Sequence, residues 1–288
     1  MRSLIALLIL FAALAAGATT PEQAYLAARD QAIAALKKTP EAKQDAEERR
    51  LRARLEQQLK SLVNPPQLDG FPGPATMSPE TLLDHDEGFG ALDGISRRGK
   101  DPTSRVLVTT DGLLRSWLKE HKTFWEGDAN PPTEPEAAFR SEVFYTQAVN
   151  DDAAFSIFAD LPIRKPDGAA SAVALLVAES QDVAVEPPGE IAVALSKGGK
   201  VFIAVVTAKA KPTPIAACDA IWKAFEAKSA APSDSAQKDD KGAAESIDPS
   251  EQAAAAVHKC WFEKASGAPE FPALTEQAQR LIDGFAAR

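Results

Sequence analysis

Apolar residues recur at helical spacing in the N-terminal part of the chain. Thr20-Pro21-Glu22-Gln23 has the spacing of a capping box with Pro at the first helical position, and it predicts a helix start. A second helix is predicted after Thr39-Pro40, because leucines follow at four- and three-residue intervals along one face. These leucines are Leu51, Leu55, Leu59 and Leu62. We therefore expect residues 19–63 to form a helical hairpin.

Proline and glycine are frequent after this hairpin, and they predict an extended connector over residues 64–82. Ser78-Pro79-Glu80 resembles a further helix start at the end of the connector. Asp111 is predicted to begin a helix that runs to about Phe124, since the apolar residues between them cluster on one side.

The middle of the chain has the patterns of β-strands. Candidate strands cover residues 105–110, 139–149, 153–163, 171–179, 191–196 and 200–208. The last two are joined through Gly198-Gly199, which tolerates the positive φ angles of a type I′ hairpin turn. Three helices are then predicted, over residues 215–228, 249–265 and 274–287. We expect the strands to pair mainly in antiparallel fashion.

This order of elements indicates an α+β fold: an N-terminal helical hairpin, then a mainly antiparallel sheet packed with C-terminal helices. The α+β domain spans residues 83–288, and residues 229–246, which lack large apolar side chains, are expected to be a mobile loop within it. The leucine stripe of the hairpin is narrow, so it could also serve as a partner-binding arm. We expect it to pack on its own domain, and the protein to be a monomer.

The first eighteen residues, 1–18, have the pattern of a secretory signal peptide. Arg2 is followed by an unbroken apolar run over residues 4–16 and then by Ala16-Gly17-Ala18, a small-x-small cleavage site. The run is shorter than a membrane-spanning helix requires, and no later stretch approaches that length. We expect a mature protein that is exported, to a periplasm or to the exterior, and that keeps no stable membrane anchor.

Composition narrows the possible functions. The net charge is −9, so the chain lacks the broad cationic field that sequence-independent nucleic-acid binding requires, and we expect no nucleic-acid partner. The two cysteines, Cys218 and Cys260, do not form a C-x-x-C redox motif. In an oxidising compartment they are expected to form one structural disulfide.

Two clusters of polar residues are the candidate ligand-binding groups. Asp84, His85 and Asp86 are the densest metal-capable group, but their spacing matches neither H-E-x-x-H nor an EF-hand loop, and we predict no metal and no cofactor. The second cluster could bind an acidic group, and it consists of Arg97, Arg98, Lys100 and Arg105. We expect both clusters to lie on one glycine-rich loop over residues 84–105.

The sequence around the basic cluster nearly matches the phosphate-loop motif G-x-x-x-x-G-K-[ST], from Gly94 to Asp101. Asp101 stands where the motif needs a magnesium-binding hydroxyl, and the segment precedes a predicted strand instead of following one. We therefore interpret the match as coincidental.

Complete nucleophile signatures are absent from the sequence. There is no G-x-S-x-G elbow, and the S-x-x-K match at Ser116–Lys119 lacks the S-D-N and K-T-G motifs that accompany it in penicillin-recognising enzymes. The favoured interpretation is an envelope protein that binds a partner or ligand without turnover. Two alternatives stay open: an exported hydrolase with a non-motif active site, and a structural scaffold that acts through the N-terminal helices. Catalytic residues need only converge in space.

The signal-peptide pattern generates the first testable prediction. N-terminal sequencing of the protein from an envelope fraction should begin near Thr19, because cleavage is expected after Ala18. Recovery of the protein from the cytosol with Met1 still in place would contradict the prediction.

Overall fold

A computed structural model describes residues 19–83, 92–120, 134–141, 144–145, 154–180, 188–229 and 249–288. The helices in these ranges are α1 (Pro21–Lys37), α2 (Glu41–Val63), α3 (Asp111–Glu120), α4 (Pro135–Ala138), α5 (Ala216–Ser229), α6 (Pro249–Lys264) and α7 (Phe271–Ala286). The strands are β1 (Thr76–Ser78), β2 (Gly94–Arg98), β3 (Arg105–Thr110), β4 (Ala154–Asp160), β5 (Ala169–Ser180), β6 (Glu190–Lys197) and β7 (Lys200–Thr207). The predicted α+β class is confirmed.

The N-terminal hairpin forms as its sequence pattern indicates. Thr20 Oγ1 accepts a hydrogen bond from the Gln23 backbone N–H at 3.2 Å, and the Gln23 side chain accepts one from the Thr20 N–H at 3.0 Å, which completes the capping box. Helix α2 ends where Asn64 adopts a left-handed conformation with φ 45°. Leu55 and Leu59 are buried in one core with the sheet, so the leucine stripe packs on its own domain.

The seven strands form one antiparallel sheet in the order β1-β2-β3-β7-β6-β5-β4. Each of two meanders, β1–β3 and β4–β7, joins strands that are neighbours in sequence, and the pairing of β3 with β7 joins the two meanders. Gly198 and Gly199 connect β6 to β7 with φ angles of 60° and 78°, as the predicted type I′ turn requires.

Both faces of the sheet are buried. One face packs against α1, α2, α6 and α7, and there Phe202 of β7 stacks on Phe285 of α7 with ring centroids 5.3 Å apart. The opposite face carries Leu107 and Ile203. It packs against α3, which contributes Trp117, and against the aromatic residues that follow α4. Two-sided burial explains why the central strands are almost continuously apolar rather than alternating.

The expected strand over residues 139–149 is wrong for its described part. Phe139 and Arg140 form a turn after α4, and Phe144 and Tyr145 are helical. The ring centroids of Phe139 and Phe144 lie 5.2 Å apart, and both rings are buried on the second face of the sheet. These aromatic residues therefore cover the sheet instead of extending it. The apolar pattern that resembled a strand is the pattern of a covering segment.

Two further expectations about local structure need correction. Ser78-Pro79-Glu80 does not begin a helix, because Ser78 ends β1, where it pairs with Gly94 of β2. The candidate strand over residues 153–163 is shorter and less regular than expected, because β4 ends at Asp160 and contains a β-bulge between Ile157 and Ala159, which places Phe155 and Phe158 in the cores on opposite faces of the sheet.

The predicted disulfide is present. Cys218 of α5 and Cys260 of α6 are bonded, with Cα atoms 5.5 Å apart. Cys218 is the buried residue of α5, a helix that contacts mainly α6, so the disulfide attaches an outer helix to the core. Residues 230–248, which include most of the predicted mobile loop, lie outside the described residues, as do residues 1–18, the predicted signal peptide. Within the described ranges, no helix has the length and apolarity needed to cross a membrane.

Replacing both cysteines by serine (Cys218→Ser with Cys260→Ser) should destabilise the protein. The disulfide links residues separated by 42 positions, and closing a loop of that size constrains the unfolded chain by about 4 kcal/mol in the chain-entropy model. Urea unfolding monitored by tryptophan fluorescence should show a lower midpoint than wild type, and reduced wild type should match the variant. An unchanged midpoint would show that the bond contributes little.

Candidate functional site

A buried ion pair joins α1 to the start of β2. Arg29 Nη1 donates to Asp93 Oδ2 at 2.6 Å, and Tyr25 Oη donates to Asp93 Oδ1 at 2.7 Å. The Arg29 and Asp93 side chains are only 10% and 4% exposed. Both carboxylate oxygens of Asp93 are therefore bound, each by a donor from α1.

Helical spacing brings the two donors together. Tyr25 and Arg29 are four residues apart and lie on the buried face of α1, together with Ala32 and Leu36. Asp93 immediately precedes β2, and its carbonyl oxygen accepts a hydrogen bond from Thr109 Oγ1 of β3 at 2.6 Å. The pair thus connects the first helix of the chain to two neighbouring strands.

The remaining donors of Arg29 are also used. Its Nε and Nη2 atoms donate to Asp30 Oδ1 at 3.1 and 3.0 Å, and Nη2 lies 3.4 Å from Glu120 Oε2 at the end of α3. One guanidinium therefore contacts three carboxylates on α1, α3 and the residue before β2. Such a planar fork of donors suits this arrangement far better than the ammonium of lysine would.

Burial and the charge of Asp93 control the protonation of this cluster. Burial, followed by the Asp93 charge, raises the pKa of the Tyr25 hydroxyl well above its ordinary value. Burial alone would lower the pKa of Arg29, but the adjacent Asp93 carboxylate outweighs it, and the net shift is upward. At neutral pH the tyrosine is neutral and the arginine is charged. The cluster holds α1 in place, and its polar atoms bind one another rather than a substrate.

Sequence reasoning missed this cluster. The pattern that predicts α1 gives neither Tyr25 nor Arg29 a polar role, although both lie on its buried face. The available signal was an arginine four residues after a tyrosine on a face that must be buried. A charged residue on such a face requires a partner, because an unpaired buried charge is strongly unfavourable.

Of the predicted site residues, Asp84, His85 and Asp86 lie outside the described residues. The expected loop over residues 84–105 is wrong for its second half, because Arg97 and Arg98 belong to strand β2, which pairs with β3. Pairing with β3 provides hydrogen-bond partners for the backbone N–H and C=O groups of this segment. In a solvated loop these groups would bind water instead.

Strand geometry separates the two arginines that are adjacent in sequence. Arg97 is opposite Val106, which faces the side of the sheet covered by helices α1 and α2. The Arg97 Nη1 atom donates to the Gly73 carbonyl oxygen at 3.1 Å. Arg98 points to the other face, because successive side chains of a strand alternate. The side chains of Arg97 and Arg98 therefore lie on opposite faces of the sheet.

The structure instead places Arg98 directly opposite Arg105 on the neighbouring strand. Side chains that face each other across an antiparallel pair lie on the same face with Cβ atoms about 5 Å apart. Glu80 reaches the Arg98 guanidinium only at 3.9 Å, and both side chains are about 70% exposed, at 71% and 70%. Among the described residues, no carboxylate forms an ion pair with Arg105, which is partly buried.

Backbone hydrogen bonds hold this end of the β2–β3 hairpin in place. Three backbone N–H groups donate to backbone carbonyl oxygens here: Gly73 to Arg98 at 3.1 Å, Gly99 to Ser104 at 2.6 Å, and Lys100 to Gly70 at 3.1 Å. The connector passes so close that a Cβ atom on Gly73 would lie 2.8 Å from the Arg98 carbonyl oxygen. We call Arg98, Lys100 and Arg105 the cationic hairpin end.

The nearest acidic residue in sequence is engaged elsewhere. Asp101 Oδ1 accepts hydrogen bonds from the Thr103 N–H and hydroxyl, each at 3.2 Å, and the Thr103 and Thr207 hydroxyl oxygens lie 2.6 Å apart. Hydrogen bonding from Thr207 and Thr103 lowers the pKa of the Asp101 carboxyl. Asp101 therefore supports the turn between β2 and β3.

Neither a search for metal-binding groups among the described residues nor a comparison with known proteins indicates a function. Across the described ranges, no group of three or more His, Cys, Asp or Glu side chains is placed to hold a metal ion. Comparison of the chain with protein-family models, with curated proteins and with solved structures found no match.

The two tyrosines of the chain should titrate only when the protein unfolds. Burial raises the pKa of Tyr145 as it does that of Tyr25, because the folded state disfavours an ionised hydroxyl at either position. Stability is therefore unaffected below the ordinary tyrosine pKa of about 10 and is lost as pH rises beyond it, since the unfolded chain then releases protons that the folded chain retains. Tyrosinate absorbance should stay absent above pH 10 until circular dichroism reports unfolding, whereas urea-unfolded protein should titrate near pH 10. A tyrosinate signal in folded protein near pH 10 would contradict the burial.

Proposed function

We propose that this protein is an exported, disulfide-containing envelope protein that binds a partner or ligand without chemical turnover. The signal-peptide pattern at residues 1–18 supports export, and the disulfide between Cys218 and Cys260 is compatible with an oxidising compartment. These observations concern location, and the argument for binding rests on the site.

The observation that carries the binding proposal is the cationic hairpin end. Its backbone is held by three hydrogen bonds, while Arg98 and Arg105 face each other with little internal neutralisation. A rigid backbone with available charged side chains lowers the cost of ordering a binding surface. The protein as a whole is acidic, so the charge of this surface is opposite in sign to the net charge of the chain.

The proposal of binding without turnover is supported by how the buried cluster is arranged. Tyr25, Arg29 and Asp93 satisfy one another, and the raised pKa of Tyr25 makes its hydroxyl a poor nucleophile at neutral pH. An activated nucleophile would need an adjacent base, whereas the tyrosine here donates to a carboxylate that Arg29 already holds.

The test uses the mature protein and small molecules extracted from its own envelope fraction. After incubation and gel filtration, native mass spectrometry should find a stoichiometric bound species that is absent from an unfolded control. The purified species, incubated with excess protein, should return with its mass unchanged. Catalytic conversion of that species would overturn the proposal in favour of the exported hydrolase, and the absence of any bound species would contradict binding.

A further inference from the structure

We infer that Arg98 and Arg105, with Lys100 beside them, form a binding site for a phosphate group. This inference rests on the proposed binding function and adds the chemical class of the ligand. It also narrows the basic cluster predicted from the sequence, because Arg97 points to the other face of the sheet whereas Arg98 and Arg105 face each other.

The first argument is electrostatic. Like charges directly opposite each other on neighbouring strands destabilise the pair. Arg98 and Arg105 occupy such a position, in a register that β2 and β3 maintain over four residue pairs. A bound anion would remove the repulsion, since each guanidinium can bind an oxyanion with two parallel N–H donors.

The second argument is that the chain supplies little neutralising charge of its own. Glu80 is at the limit of ion-pair distance from Arg98 and is largely exposed, so it contributes little. Asp101 accepts hydrogen bonds from Thr103, and among the described residues no carboxylate forms an ion pair with Arg105. The charge of Arg105 is thus available to a ligand.

The balance of charge favours a phosphate over a carboxylate. A phosphate monoester carries about −1.5 to −2 charges at neutral pH and three acceptor oxygens, which matches two arginines, whereas a single carboxylate would leave one arginine charge unmatched. The net charge of −9 disfavours an extended polyanion or an anionic membrane surface, because most of the protein would repel it. A small ligand that ends in a phosphate fits best.

This site is different from a phosphate loop. Gly94–Arg98 is a strand and residues 99–104 are a hairpin turn, so no helix N-terminus follows the near-match to the motif. Side-chain guanidinium groups from two strands, rather than backbone N–H groups, would hold the phosphate. Lys100 is exposed in the turn, two residues after Arg98, and contributes a third positive charge to this end of the hairpin.

The experiment measures binding of inorganic phosphate, glycerol phosphate and acetate to the mature protein by calorimetry at constant ionic strength. Both phosphate ligands should bind and acetate should bind more weakly. Stronger binding of glycerol phosphate than of inorganic phosphate would identify a phosphate ester as the natural form, and the reverse would identify free phosphate. Arg98→Gln and Arg105→Gln should each weaken phosphate binding on the order of 10-fold or more, the effect of losing a charged hydrogen-bonding partner.

Arg54→Gln is the matched control, because Arg54 is an exposed arginine of α2 on another part of the protein, and it should leave binding unchanged. Circular dichroism of each variant verifies folding. The inference is overturned if Arg105→Gln binds phosphate as wild type does, if acetate binds equally well, or if no phosphate binds. A stoichiometric envelope ligand that still binds Arg98→Gln and Arg105→Gln would leave the proposed function standing while this site fails.

Discussion

Pairing between β3 and β7 is the interaction on which the other features of the sheet depend. Six residue pairs, from Arg105↔Val205 to Thr110↔Lys200, join two meanders that would otherwise be separate sheets. At one end of the pairing, Asp111 N–H donates to the Gly199 carbonyl at 2.9 Å, so the β6–β7 turn meets the first residue of α3. At the other end, Thr103 meets Thr207. The same pairing thus positions α3 and the cationic hairpin end.

The buried ion pair between Arg29 and Asp93 has a different role, because it favours one position of α1 relative to the sheet. Removing two charges from water is costly, and their attraction recovers that cost only when the geometry is good. Here Asp93 receives one donor from Tyr25 and one from Arg29, and Arg29 also contacts Asp30 and Glu120. Breaking such a pair typically costs about 3–5 kcal/mol, because the remaining charge is left buried. A shifted α1 would incur this cost, so the pair favours a single arrangement of helix and sheet.

These two polar groups show how the surroundings of an arginine decide its use. Arg29 is surrounded by carboxylates and its charge is consumed inside the fold. Arg98 and Arg105 lie on a hairpin whose backbone is fully engaged, yet their charges face each other. The first arrangement stabilises a helix, whereas the second leaves charge available to a ligand. Residue type alone does not distinguish them.

Local sequence patterns predicted the elements whose formation depends on neighbouring residues. The capping box at Thr20, the Gly198-Gly199 turn and the C-terminal helices appear where the patterns place them, because backbone conformation and capping are settled within a few residues. The α+β class followed from their order along the chain. The pairing of Cys218 with Cys260 also followed, because two cysteines allow only one intramolecular bond.

Tertiary contacts decided the rest. Phe139, Phe144 and Tyr145 cover the second face of the sheet. Their apolar pattern in the sequence does not distinguish a segment that covers a sheet from a strand within the sheet. The partner of Arg29 is Asp93, 64 residues away along the chain, and no local pattern specifies a contact at that distance. Likewise, strand register placed Arg98 opposite Arg105 and turned Arg97 away. Local chemistry determines which elements form, but only the packing of distant segments determines which side chains meet, since burial and charge pairing act through space.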